Sequence, residues 1–156
     1  ALHDSLTGVM NRRAWTEGVG LEAVRASFGT ALMLDLDNLK TVNDLHGHAA
    51  GDELLRRVAE VLRAAVRPTD RLYSWGGDEF LLLRPGARAA DARRRVDELV
   101  RRANENVADR LVLELSLGVA EFAGGEALEP AVSRADAAMY EEKSRRRARL
   151  PELAGR

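Results

Sequence analysis

The sequence predicts an α+β sandwich, a largely antiparallel central sheet covered by helices. Three observations lead there. Stretches with apolar residues at helical spacing are interleaved with short apolar or alternating runs. Two of those runs are separated only by the Gly76-Gly77 region, so they pair as an antiparallel hairpin. No linker, repeat or low-complexity stretch interrupts the 156 residues, so 1–156 reads as one domain. With 46% hydrophobic and 31% charged residues, that domain can bury a core and is not a disordered tail.

The opening segment, Asp4 to about Ala26, reads as a helix with Ser5 or Thr7 as cap. Thr30 to Leu36 is a short apolar run ending in acid, a buried strand. A short helix follows over Leu39–Leu45, then a glycine-containing turn from His46 to Gly51. Leu54, Leu55, Val58, Val61, Leu62 and Ala65 recur at helical spacing, and Pro68 stops that helix. Arg71–Trp75 and Asp78–Leu83 are the hairpin strands, with Gly76-Gly77 supplying the positive φ of a two-residue turn. Ala92, Val96, Leu99, Val100, Ala103 and Val107 mark another amphipathic helix. Leu111, Leu113, Leu115, Leu117 and Val119 alternate strictly, the mark of a strand with one apolar face. Leu128, Val132, Ala135, Ala138 and Met139 stripe a last helix that runs into Arg145-Arg146-Arg147.

Charge and composition remove several function classes. The balance of 24 basic against 25 acidic residues, net −1, argues against a general nucleic-acid binder. The absence of cysteine excludes a disulfide scaffold, a thiol nucleophile and a cysteine zinc site. No apolar run approaches the ~18–20 residues that span a bilayer, and no charged-then-apolar leader precedes the fold. The expectation is a cytoplasmic domain without membrane contact.

Several polar residues are candidates for chemistry. Asp35 ends the first strand, followed by Asp37, while Asp78 and Glu79 lie at the hairpin tip. Neighbouring strands run ~4.8 Å apart, so such acids can converge, and clustered carboxylates suit Mg²⁺. Spacing alone equally allows Asp78 as turn chemistry and Asp35 as a strand terminator. Asn43 and Asp52 flank a polar segment and could read a base edge, or Asp52 could cap the helix beginning near Glu53. His46 and His48 read as solvated loop residues. Lys40 and Lys143 are the only lysines in a chain rich in arginine, and an ammonium is a common phosphate ligand.

Trp75-Gly76-Gly77-Asp78-Glu79-Phe80 contains an intact GGDEF motif. Four further blocks accompany it in order: Asp4-Ser5-Leu6-Thr7-Gly8 with Asn11-Arg12-Arg13; Asp35 through Lys40, Asn43-Asp44, Gly47-His48 and Gly51-Asp52; Ser116 through Ala120; and Ala135 through Tyr140 to Lys143. From about Asp4 to Arg147 the chain resembles the GGDEF domain of diguanylate cyclases. The resemblance implies a fold akin to nucleotidyl cyclases and polymerase palms. It also implies an enzyme that joins two GTP into cyclic di-GMP, releasing two pyrophosphates, across a symmetric homodimer. By resemblance, Asp35 and Asp78 hold two Mg²⁺ ions, with Mn²⁺ an alternative, helped by the Leu36 carbonyl and Glu79. Leu39, Lys40, Asn43, Asp52, Gly76, Gly77, Lys143 and Arg147 fall at substrate-binding positions. Among these, Asn43 and Asp52 match the guanine readers, Lys143 and Arg147 match the triphosphate contacts, and the two glycines leave room for the nucleotide. A regulatory domain or coiled coil usually precedes such domains.

Upstream, Arg67-Pro68-Thr69-Asp70 resembles the family's product-inhibition motif, Arg67 and Asp70 bracketing a guanine of cyclic di-GMP, with Arg94, Arg101 or Arg102 as candidate third partners. The chain departs from the family pattern at Ser74 (usually Arg), Leu39 (usually Phe) and Arg146 (usually Gly). Without that glycine, Arg145 or Arg149 could stand in for Arg147. The competing reading is a catalytically weak or inactive module that binds cyclic di-GMP through Arg67 and Asp70. A nucleic-acid binder using Arg145 to Arg149 ranks below both.

Overall fold

The computed structural model describes residues 1–154. Its core is a four-stranded sheet in the order β2-β3-β1-β4, built from β1 (Gly29–Leu36), β2 (Arg71–Ser74), β3 (Glu79–Pro85) and β4 (Leu115–Phe122). Every neighbouring pair is antiparallel. The helices are α1 (Arg12–Thr16), α2 (Glu22–Arg25), α3 (Leu39–His46), α4 (His48–Ala65), α5 (Ala89–Ala103) and α6 (Glu129–Ala154), with a 3-10 turn at Asp109–Leu111.

β1 is buried along its whole length because helices cover both faces of the sheet. Successive side chains alternate between those faces. Leu32, Leu34 and Leu36 join Leu54, Leu55, Val58 and Leu62 of α4 and Ala92 and Val96 of α5 in one core. Ala31 and Met33 join Leu81, Leu83, Val24 and the Leu128, Val132, Ala135 and Met139 stripe of α6 in the other. Asp35 has the parity of Met33, so its side chain emerges on the α6 face. α6 sits unusually close to β4: a Cβ on Gly118 would lie 2.0 Å from the Ala135 carbonyl oxygen and 2.3 Å from the Met139 nitrogen. Among the described residues, no helix is long and apolar enough to cross a membrane.

Four local expectations are corrected. The span Asp4–Ala26 is not one helix but two short ones. Gly8, Gly18 and Gly20 adopt φ of +75, +70 and +68°, and Asp4 Oδ2 accepts from the Thr7 N–H and hydroxyl at 2.8 Å, closing a turn instead. The turn at His46–Gly51 shrinks to Gly47, at φ +88°, and α4 already starts at His48. Asp52 therefore lies inside α4 and does not cap it. The strand placed from Leu111 begins at Leu115; Leu111 closes the 3-10 turn, and Asn104 holds Leu113 through bonds to both its N–H and its carbonyl. Finally, the hairpin tip is not a two-residue turn with positive φ. Ser74 pairs with Phe80, the Trp75 N–H reaches the Glu79 carbonyl at 2.8 Å, and neither Gly76 nor Gly77 has positive φ.

Candidate active site

β1 and β3 pair so that Asp35 faces Glu79, and the Leu36 N–H donates to the Asp78 carbonyl at 3.1 Å. This pairing folds the hairpin tip onto the end of β1. Asp35, Asp78 and Glu79 each offer a carboxylate oxygen within 4.8 Å of the others. Onto this cluster comes Lys143 of α6, whose Nζ donates to Asp35 Oδ2 at 2.8 Å. Its position follows from the parity of Asp35 and the close seat of α6 on Gly118.

The electrostatics are those of acids held together against their preference. Burial pushes the Asp35 carboxyl up to about 6, and the neighbouring Asp78 adds to that, while the bond from Lys143 opposes it. Glu79 is also raised, by burial first and then by Asp136 and Asp78. Asp35 Oδ1 is buried and has no hydrogen-bond partner. An unpaired buried carboxylate oxygen is costly, and a divalent cation at this point would relieve it. Three hard oxygen donors at this separation fit Mg²⁺ or Mn²⁺. Asp37 takes no part in the cluster: Ser116 Oγ donates to its Oδ1 at 2.6 Å and Arg146 Nη1 to its Oδ2 at 3.0 Å.

The hairpin glycines have a spatial explanation that the turn does not supply. A Cβ on Gly77 would meet nothing within 4 Å, and one on Gly76 would only touch Glu79 at 3.5 Å. Nothing in the protein requires either residue to lack a side chain, so the space above them is open beside the acids.

The remaining expected substrate residues form two groups. Lys143 and Arg147 line one cleft of about 480 Å³ with Asp37, Asn38, Thr41 and Arg146. α6 runs unbroken through Arg146, so Arg147 stays one helical turn beyond Lys143; Arg145 and Arg149 are not among the residues lining this cleft. Asn43 packs on Gly51, where an added Cβ would lie 1.7 Å from its Oδ1. Thus α3 and α4 bring Asn43 beside the residue preceding Asp52, and Asn43 Oδ1 is buried without a partner. Leu39 is half-buried against the core, and Lys40 is exposed on α3.

Arg67 and Asp70 lie elsewhere, beside Pro85 and hence at the opposite end of β3 from Glu79. Six residue steps along the strand make that about 20 Å. The Asp70 carboxylate is fully buried and accepts from the Arg67 N–H at 2.9 Å and from its Nη2 at 3.0 Å. Arg94 and Arg102 pair within α5, with Asp91 and Glu98, and Arg101 pairs with Glu105 just beyond its end. The further arginine at Asp70 is Arg84 of β3, at 3.9 Å. Sequence reasoning missed it because a strand residue 14 positions away gives no local signal.

Comparison with known proteins bears on the family and the fold. The family described as "Diguanylate cyclase, GGDEF domain" matches residues 1–149. Diguanylate cyclase VdcA of Vibrio cholerae is 37% identical over 164 residues, covering 98% of this chain and 47% of that protein. Diguanylate cyclase DgcM of Escherichia coli K12 is 34% identical over 156 residues, covering 96% of this chain and 38% of that protein. The chain thus spans less than half the length of either relative. Among solved structures, the GGDEF domain of DgcB from Caulobacter crescentus in complex with c-di-GMP superposes with a TM-score of 0.80 at 28% identity, covering 92% of this chain and 91% of that one. Diguanylate cyclase SiaD from Pseudomonas aeruginosa, in complex with its activator SiaC, gives 0.78 at 38% identity, covering 92% and 58%.

Proposed function

The chain belongs to the GGDEF domain family of diguanylate cyclases, and from that premise we propose that it condenses two GTP into cyclic di-GMP with release of two pyrophosphates. The observation that carries this reading is the convergence of Asp35, Asp78 and Glu79 beneath an open glycine tip, with Lys143 alongside. Asp35, Asp78 and Glu79 are the residues that would hold divalent metal, with the Leu36 carbonyl assisting. When bound there, Mg²⁺ or Mn²⁺ supplies charge stabilisation at the attacking 3′-hydroxyl and at the α-phosphate oxygens.

The chain's own residues do the binding and orienting. Asn43 and Asp52 read the guanine edge, since a carboxylate accepts from the N1–H and amino donors that adenine lacks as a pair. GTP is accordingly preferred over ATP. Lys143, Arg147 and Lys40 hold the triphosphate, and Leu39 flanks it at the start of α3. Gly76 and Gly77 leave the nucleotide room over the hairpin. Each domain binds one GTP and a symmetric homodimer brings the two together, so turnover per protomer rises with protein concentration. Arg67 and Asp70 bind the product as an inhibitor, Arg67 turning from Asp70 toward a guanine. A GTP substrate places the domain in the cytoplasm, and an upstream sensor or coiled coil in the full-length protein sets its activity.

Nucleotide analysis after incubation with GTP and Mg²⁺ tests the proposal. Cyclic di-GMP should accumulate with the wild-type protein and not with Asp78→Ala. Robust product formation by Asp78→Ala would refute the metal role assigned to the hairpin acid.

A further inference from the structure

β4 is an edge strand of the sheet, and an edge exposes unpaired backbone groups. At Leu117 those outward groups are both satisfied by side chains. The Leu117 N–H donates to Glu142 Oε2 at 2.5 Å, and Arg93 Nη1 donates to the Leu117 carbonyl at 3.2 Å. Arg93 Nη2 then donates to Glu142 Oε1 at 2.6 Å, closing a ring of three bonds. The pair stands where a fifth strand would lie, joining α5 to α6 across the edge. Arg146, one turn on from Glu142, approaches the same carboxylate at 3.6 Å and reaches Asp37 at 3.0 Å.

The location gives this ring its consequence. Leu117 pairs with Leu34, next to the Asp35–Ser116 pair. Glu142 immediately precedes Lys143, and adjacent helical residues point about 100° apart. With Glu142 fixed on the strand edge, Lys143 is turned over β1 toward Asp35. We propose that Glu142, clamped by Arg93 to the Leu117 backbone, is a positioning residue that sets the rotation of α6 and so delivers Lys143 to the acid cluster. The proposal rests on the diguanylate cyclase reading for its effect on turnover, but its geometric content stands apart from that reading.

The two lysines make the test direct, because ¹³C-lysine NMR of this chain should give one signal set for exposed Lys40 and one for Lys143. In Glu142→Ala the Lys143 resonances should move toward those of Lys40. In Glu142→Gln, whose amide oxygen still accepts from Leu117 while its NH2 group no longer accepts from Arg93, they should move less than in Glu142→Ala. Turnover should fall about tenfold in Glu142→Ala. It should fall no further in Glu142→Ala/Lys143→Ala than in Lys143→Ala alone, since Glu142 acts through Lys143. Unmoved Lys143 resonances in Glu142→Ala, or losses that multiply in the double variant, overturn the proposal. If Glu142→Ala does not fold, Arg93→Ala is read the same way, with a smaller movement of the Lys143 signals and a two- to threefold loss of turnover (about; the Leu117 bond is retained). Absence of product from the wild-type protein would count against the cyclase reading, while the NMR comparison would still decide the positioning role.

Discussion

Asp35 carries opposing demands. Burial and Asp78 raise its carboxyl to about 6, whereas metal binding needs it ionised. The sign follows directly: above pH 6 the carboxylate is charged and ready, and below it a proton competes with the cation. Apparent Mn²⁺ affinity of the nucleotide-free protein should therefore fall about tenfold per pH unit below 6, measured by electron paramagnetic resonance. Without metal the same shift acts on folding, because the raised carboxyl favours the folded state while protonated and this contribution is lost as pH rises through about 6. The hairpin glycines give a second prediction at this scale. The Gly77 Cβ position is empty, so Gly77→Ala should change stability by no more than ~0.5 kcal/mol in denaturant unfolding. It should nevertheless raise the KM for GTP. Unchanged KM would remove the glycines from the substrate site. The acids were legible as residues because motif letters name them; the Lys143–Asp35 contact was not, since 108 positions separate the partners.

At the level of elements, the decisive feature is how α6 lies on the sheet. Gly118 lets the helix backbone approach β4 to a distance that any side chain would prevent. Gly118→Ala must push α6 outward, and we expect a loss of about 1–3 kcal/mol in stability together with loss of turnover, since Lys143 moves with the helix. Retention of both would show that α6 is not held as described. Strand β1 was readable as an apolar run, β2 and β3 as runs flanking the glycine pair, and α4 to α6 from helical spacing, although the stripe read to Val107 overshoots α5, which ends at Ala103. The N-terminal segment was not. Its apolar residues, Leu6, Val9, Met10, Ala14 and Leu21, serve two different cores: Leu6 and Val9 pack into one, and Met10, Ala14 and Leu21 into the other, where Met10 also bridges Tyr73 of β2. A segment whose buried residues point in several directions imitates a helical stripe without forming one. Strict alternation across Leu111–Val119 misled in a similar way, since Leu113 is buried from a coil held by Asn104.

For the molecule as a whole, the two regions to which the proposed function assigns nucleotides sit at opposite ends of the same strand, β3. The acid cluster meets its first residue, Glu79, and the Arg67–Asp70 pair meets its last, Pro85. If cyclic di-GMP binds Arg67 and Asp70 as proposed, a site about 20 Å from the acids of its own domain does not touch them, and inhibition would act by holding domains apart or misaligned. Arg67→Ala should abolish the fall in rate as cyclic di-GMP accumulates while leaving the initial rate unchanged, a difference visible in progress curves. The fold class was legible from interleaved helical and strand spacing and the family from five ordered motif blocks, whereas the burial of Asp70 and its contact with Arg84 depended on packing that no motif records. The central claim, that acids from β1 and the hairpin share one metal site, is tested most directly by Mn²⁺ titration followed by electron paramagnetic resonance at pH 8. Asp35→Asn and Asp78→Asn should each lose the site that the wild-type domain shows. Wild-type affinity retained in both variants would contradict the account.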